Sequence, residues 1–347
     1  MRILITGVAG FLGSHLAECF LDDGHQVVGC DNMIGGEPEN ISGGVEFHEY
    51  DCRDLPSMNK VCRDADLVYH CAATAYEGLS VFSPHFVTDN IVNATTSVIT
   101  AAVVNKVKRF VFCSSMARYG KNGIPFTEAM NPRPEDPYGV GKYACELLLK
   151  NLSETHGMEY AIAVPHNIIG PRQKYDDPYR NVAAIMINLM LQGHQPVIYG
   201  DGSQTRCFTF VGDAVQCLKR MATQSNVVGE IINIGPDEQT VSIRELANKI
   251  GILMGIEVDP VYLPPREREV PQATCSADKA RYLLGYRTEY TLEQGLGEMI
   301  GYIRQRGARP FKYHLDLEII TEKTPVTWSK RTFDTQVMEM SSPFNNG

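Results

Sequence analysis

With 347 residues, 44% of them apolar and 21% charged, the chain is long enough for a large core in about two domains and has the balance of an ordinary soluble globular protein. A formal charge of −9 argues against a nucleic-acid or anionic-membrane partner, although an anionic small molecule needs only a local basic pocket. No apolar run is long enough to span a bilayer. The ten cysteines are scattered, without C-x-x-C or zinc spacing, and Cys30, Cys71 and Cys113 fall in strand-like runs. That pattern reads as reduced core thiols in a cytoplasmic protein. The nine histidines show no H-E-x-x-H or paired spacing, so no metal site is expected.

Arg2 to Thr6 is a short branched apolar run, the mark of a buried parallel strand. It runs into Gly7-Val8-Ala9-Gly10-Phe11-Leu12-Gly13, then an amphipathic helix stopping near Gly24, then a strand from Gln26 to Cys30 that ends on Asp31. A secretory leader would also begin with a basic residue and an apolar run, but glycines interrupt this one and no clear cleavage site follows. Further strands are expected at Val45–Tyr50, closing on Asp51, at Asp66–Ala73 and at Arg109–Ser114, with a helix at Asn90–Val104. Asp136-Pro137 supplies an N-cap and a first-turn proline for a helix reaching Gly157, and Tyr160–Pro165 follows as a strand. This alternation predicts an α/β fold of Rossmann type, a doubly wound parallel sheet whose ligand crevice lies at the carboxyl ends of the strands. Beyond Pro165 the rhythm loosens. Helices are expected at Asn181–Gln192, Asp213–Thr223, Ser242–Met254, Asp278–Leu284 and Leu292–Arg304, with strands at Pro196–Tyr199 and Ile231–Ile234. The expected organisation is a nucleotide-binding domain at 1–165, to which later segments return, a smaller mixed α/β lobe at 166–307, and a tail at 308–347. That tail carries the only tryptophan, Trp328, and shows no period, so packing or subunit contact is expected of it.

Two constellations carry chemistry. The strand, glycine turn, helix and strand ending on an acid form a dinucleotide-binding unit. Gly7 permits the sharp turn, Gly10 lets the backbone approach a pyrophosphate at the helix N-terminus, and Gly13 lets that helix close on the sheet. Asp31 can accept from the adenosine ribose hydroxyls and would repel a 2′-phosphate, which favours NAD over NADP. Further along, Tyr138 and Lys142 stand one helical turn apart on one face. A phenol ionises near pH 10, so a phenolate base at neutral pH needs roughly 4 kcal/mol of help. Lys142, the positive helix end and a cationic nicotinamide could together supply it. Cys113-Ser114-Ser115 ends a strand where a hydroxyl would face the same crevice.

With these pieces in order, the chain resembles an extended short-chain dehydrogenase/reductase of the NAD-dependent nucleotide-sugar epimerase/dehydratase family. The matching set runs from the Gly7–Gly13 turn and Asp31 through Asp51, His70-Cys71-Ala72-Ala73, Ser114-Ser115 and Tyr138–Lys142. It continues with Asn167, Gly170-Pro171-Arg172, Gly200-Asp201-Gly202, Arg206-Cys207-Phe208, Arg266 and Ala277–Gly285, and spans about residues 1 to 306. Its pattern is similar to UDP-glucose 4-epimerase-like and GDP-mannose 3,5-epimerase-like enzymes. The resemblance implies Tyr138 as the base at a sugar hydroxyl, Ser115 holding the same oxygen, and Lys142 on the nicotinamide ribose. It places Phe11, Leu12, Asn32, Asp51, Cys52, Ala72, Ala73, Asn90, Ser114 and Pro165 at NAD beside the glycines and Asp31. Tyr76, Ser115, Asn167, Arg206 and Arg266 would bind a nucleotide-diphosphate sugar, the two arginines by bidentate bonds to the diphosphate. A homodimer is also implied.

Departures narrow the reaction. Related 4,6-dehydratases carry an acidic pair just after the catalytic hydroxyl, and here those positions are Met116 and Ala117, which cannot move a proton. The same residues count against decarboxylation that uses a neighbouring glutamate, and Ala117 stands where 3,5-epimerases have a cysteine. The expected activity is therefore epimerisation, at C4 of a UDP- or GDP-linked sugar through a transient 4-keto intermediate. A 4-dehydrogenase or 4-keto reductase is the alternative, and a non-catalytic NAD-binding protein a more distant one. Arg118, where an apolar residue is usual, reads as a solvated side chain or one reaching a substrate charge. His166 reads first as packing and second as a sugar contact.

Overall fold

Ile3, Leu4 and Ile5 on β1 (Arg2–Thr6) are all fully buried, and their alternation explains how the layers are built. The structure, a computed structural model, describes residues 1–333. Ile3 and Ile5 share one core with Leu16 and Phe20 of α1 (Phe11–Asp22) and with Val215 and Leu218 of α7 (Val211–Met221). Leu4 belongs to the opposite core. There it joins Met58 of α2 (Leu55–Val61), Val98 of α4 (Ala94–Val104) and Leu149 of α5 (Pro137–His156).

The sheet has seven strands. β1 lies between β2 (Gln26–Asp31) and β4 (Leu67–His70), with β3 (Val45–Glu49) outside β2. On the other side β4 is followed by β5 (Arg109–Cys113), β6 (Glu159–Pro165) and a strand at Ile231–Ile234. Every pairing is parallel. The chain builds outward from β1 through β2 and β3, then crosses back to β4. A crevice therefore opens past the carboxyl ends of β1 and β4, where the winding reverses. The seventh strand comes from the second half of the chain, placing Asn233 beside Val164.

Local chemistry sets the helix that matters most. Asp136 caps α5 by accepting from the Gly139 N–H at 2.8 Å, Pro137 occupies its first turn, and Gly157 ends it in the left-handed conformation at φ 73°. In the second lobe α6 (Val182–Leu191), α8 (Ile243–Met254) and α10 (Leu292–Arg306) close around Met186, Leu246 and Met299. Capping boxes start α8 at Ser242/Glu245 and α10 at Thr291/Gln294.

Two of the expected elements differ in extent, and α2 was not expected. The helix expected from Asn90 begins earlier, at α3 (Pro84–Thr88), and reaches α4 through a wider turn at Asp89–Asn93. The strand expected to reach Ala73 stops at His70. Cys71 to Ala73 instead run along the crevice against Gly7, with the Ala72 N–H donating to the Thr6 hydroxyl at 3.2 Å rather than to a strand carbonyl.

The tail beyond 308 is a packed strap as far as Phe333, and residues 334–347 lie outside the described part. It lacks a period because it is held point by point rather than by one apolar face. Trp328, on the short helix α11 (Val326–Ser329), is buried edge-on against Phe82 and Tyr179, and its indole N–H donates to Pro178 O at 3.1 Å. Glu318 accepts from the His85 and Phe86 N–H groups at 2.9 and 2.8 Å, satisfying the start of α3. Replacing Trp328 by Ala should lower unfolding free energy by about 3–5 kcal/mol. Denaturant melts will check this; a loss below about 1 kcal/mol would show the strap to be a loosely held appendage.

Candidate active site

Gly7 sits at φ 71°, and a Cβ there would lie 2.8 Å from Ala72 N; a Cβ on Gly13 would lie 2.2 Å from Gly7 O. These two absences of a side chain bring α1 against the ends of β1 and β4. The helix starts at Gly10 with no side-chain cap, so its first-turn N–H groups are free for an anion. Asp31, at the end of β2, accepts from Ala9 N at 3.1 Å and Met33 N at 2.9 Å, which fixes the carboxylate at the rim. Burial raises its pKa. Asn32 donates to Asp51 at 3.1 Å. Burial pushes Asp51 up, but hydrogen bonds from Arg53 and Asn32 outweigh that and hold it at about 2. Every position expected at the cofactor, from Gly7 to Pro165, lines this one cavity. An uncapped helix start, a cradle that side chains would fill and a fixed ribose-side acid together fit NAD.

The same cavity is lined by the residues expected to transfer a proton, except Ser115. Tyr138 and Lys142 reach it from the first turns of α5, and Ser114 from the end of β5. Lys142 Nζ donates to Cys113 O at 2.8 Å and lies 5.9 Å from the Tyr138 ring centre. Burial lowers the pKa of Lys142. Burial raises that of Tyr138, and the Ser115 hydroxyl opposes it by hydrogen bonding. Glu77 and Asp136 also raise the phenol, as negative charges must. Lys142 is thus a fixed neighbour rather than a direct partner of the phenol oxygen.

Arg118 is neither solvated nor at the cavity. It is buried and pairs with equally buried Glu146 at 2.9 Å, with its guanidinium 4.9 Å from the Tyr119 ring centre. Glu146 also accepts from the Ser114 hydroxyl, so the pair ties the end of β5 to α5 behind the site. The signal was Glu146 itself, one turn past Lys142 on the same helical face.

Arg206 and Arg266, expected at the substrate, converge on Glu269, at 3.7 and 2.9 Å. Asn167 is held at φ 32°, a sparsely populated conformation, and donates to Cys207 O at 2.9 Å. Tyr76 departs from expectation. It is fully buried, and its hydroxyl donates to Asp177 at 2.9 Å rather than opening onto the cavity. His166 is a packing residue: burial holds its pKa at about 3, so it is neutral. Missed by sequence reasoning were the Ile34–Gly36 loop, just past Asp31 and Asn32, and Arg180, far along the chain, both of which line the cavity. All ten cysteines are free thiols. Among the described residues no cluster of three His, Cys, Asp or Glu side chains could hold a metal, and no helix is long and apolar enough to cross a membrane.

The fold and this cavity define an NAD-binding enzyme of the extended short-chain dehydrogenase/reductase type. Residues 3–235 match the model of the NAD-dependent epimerase/dehydratase family, and the chain belongs to that family. It is 34% identical over 307 residues to a putative UDP-glucose 4-epimerase of Methanocaldococcus jannaschii, covering 87% of this chain and 98% of that one. It is also 34% identical over 331 residues to a UDP-N-acetyl-alpha-D-glucosaminuronate decarboxylase of Bacillus cytotoxicus, covering 88% and 98%. Among solved structures it is similar to the UDP-glucuronic acid 4-epimerase of Bacillus cereus in complex with UDP-glucuronic acid and NAD, with TM-score 0.82 and 30% identity over 88% of this chain and 100% of that one.

The charges around Tyr138 give a pH test. Asp136 is pushed up to about 7, by burial first and Glu77 second, so it gains its charge within the working range. Asp136→Asn keeps a capping side chain and removes a negative neighbour that raises the phenol. The acidic limb of the kcat/KM profile should therefore move to lower pH. A limb that stays in place would show that the Asp136 charge does not act on the base.

Proposed function

We propose that the protein is a nucleotide-sugar 4-epimerase that retains NAD through turnover and acts on a UDP-linked or GDP-linked sugar. One observation carries the reading: Tyr138 and Lys142 share a cavity wall with the Gly7–Gly13 turn, while Met116 and Ala117, the positions after Ser115, hold no acid. When bound, NAD supplies a hydride acceptor and a positive charge beside the phenol. Tyr138 takes the proton of the sugar hydroxyl, Ser115 holds that oxygen, and Lys142 orients the nicotinamide ribose. Arg206 and Arg266 hold the diphosphate, exchanging their shared contact with Glu269 for the substrate. With no second acid or base at 116 or 117, the keto sugar has no group there to eliminate water or assist decarboxylation, and re-reduction is the remaining outcome. The named relatives act on UDP-linked sugars, which favours uridine. A homodimer through α4 and α5 belongs to the same reading, supported by the exposed apolar side chains of Val104, Val140 and Leu147 on those helices.

Incubation with a panel of UDP- and GDP-sugars, followed by NMR and by absorbance at the NADH band, tests this. The expected product is the C4 epimer, formed without added cofactor. Stoichiometric NADH, or loss of carbon dioxide from a uronate, would overturn it in favour of a dehydrogenase or decarboxylase. Tyr138→Phe should lower kcat by roughly 10²–10⁴-fold while leaving NAD bound. Full activity in that variant would place the base elsewhere.

A further inference from the structure

Arg180, in the bend before α6, belongs to the second lobe yet lines the cavity opposite the glycine turn. The Ile34–Gly36 loop lies against it, and a Cβ on Gly35 would fall 2.1 Å from its Nη2. Gly35 is therefore small because the guanidinium fills that space. Behind it, Nε lies 3.3 Å from Asp177 Oδ2 without hydrogen-bond alignment, and the guanidinium lies 5.0 Å from the Tyr76 ring centre. Asp177 is itself fully buried and held by the Tyr76 hydroxyl at 2.9 Å and by Tyr179 N at 2.9 Å. His314 of the strap approaches both, at 3.2 Å from the Tyr76 hydroxyl and 3.8 Å from Asp177.

Arg180 lines the same cavity as Asp31 and Tyr138. Its charge reaches Asp31 on the adenosine-ribose side and Tyr138 on the nicotinamide side, lowering the pKa of each against the larger effect of burial. The part of a dinucleotide that lies between two riboses is the pyrophosphate, and the uncapped start of α1 faces the same span. We propose that Arg180 clamps the NAD pyrophosphate from the substrate lobe, with Asp177 and Tyr76 as its positioning residues. A guanidinium fork suits two phosphate oxygens, and a clamp anchored on the second lobe would slow cofactor loss. The inference uses NAD binding alone and does not depend on which sugar carbon reacts.

The test compares Arg180→Gln, Arg180→Lys and wild type, each stripped of NAD, with ADP-ribose, adenosine and UDP titrated separately by calorimetry. Arg180→Gln should weaken ADP-ribose by about ten- to hundredfold, with adenosine and UDP unchanged. Arg180→Lys keeps a charge without the fork and should fall between the two. NAD released on dilution of the purified holoenzyme, followed by NADH fluorescence after reduction, should speed up in the same order. Equal ADP-ribose affinity in all three proteins would overturn the proposal. So would a loss confined to UDP, which would assign Arg180 to the substrate, or an equal loss for adenosine, which would mean a general structural role. If Arg180→Gln does not fold, the ADP-ribose and adenosine affinities of Arg180→Lys decide by the same criteria.

Discussion

The site depends on one close backbone approach. Gly13 meets the carbonyl of Gly7, and Gly7 meets the peptide of Ala72, at distances where no Cβ fits. Through these contacts α1 starts directly over the gap between β1 and β4, with its unsatisfied N–H groups facing the crevice. A side chain at either glycine would lift the helix and widen the gap. Asp31 and Ala72, which lie on opposite sides of β1, would then no longer face one ligand. The extensive burial of Ile3, Leu4 and Ile5 keeps that geometry rigid from both faces of the sheet.

A second constraint holds α5 to the end of β5. Lys142 donates to Cys113 O, Glu146 accepts from Ser114, and Arg118 neutralises Glu146 in the interior. Breaking such a pair leaves a buried charge uncompensated, which is why its members act as a unit. Its function is positional: it fixes the helix that carries Tyr138 relative to the strand end that carries Ser115. The Tyr138 phenol thus sits in a frame that is locked from behind, with its acidity governed first by burial and then by Ser115 and the neighbouring charges.

The strap beyond residue 308 adds a layer outside the stretch matched by the family model. The relatives are covered over nearly their whole length by 87–88% of this chain. The strap crosses the second lobe, seats Trp328 against Pro178 and brings His314 to Tyr76 and Asp177. Tyr76, expected at the sugar, is drawn into this cluster instead. The result is a buried cluster behind Arg180, built from chain that the motifs do not include.

By itself the sequence determined the α/β class, the parallel sheet, the cofactor cradle and the placing of Tyr138 and Lys142. Each of these is encoded locally, by strand runs, glycine spacing, a capping Asp-Pro and the helical repeat. Only the tertiary structure decided that Arg118 finds Glu146, that Tyr76 turns to Asp177, that Ile231–Ile234 completes the sheet, and that Arg180 and the Ile34–Gly36 loop close the cavity. Those choices depend on burial. A charge or hydroxyl removed from water must take the partner that packing brings to it, and that partner can lie far along the chain, as Asp177 does from Tyr76.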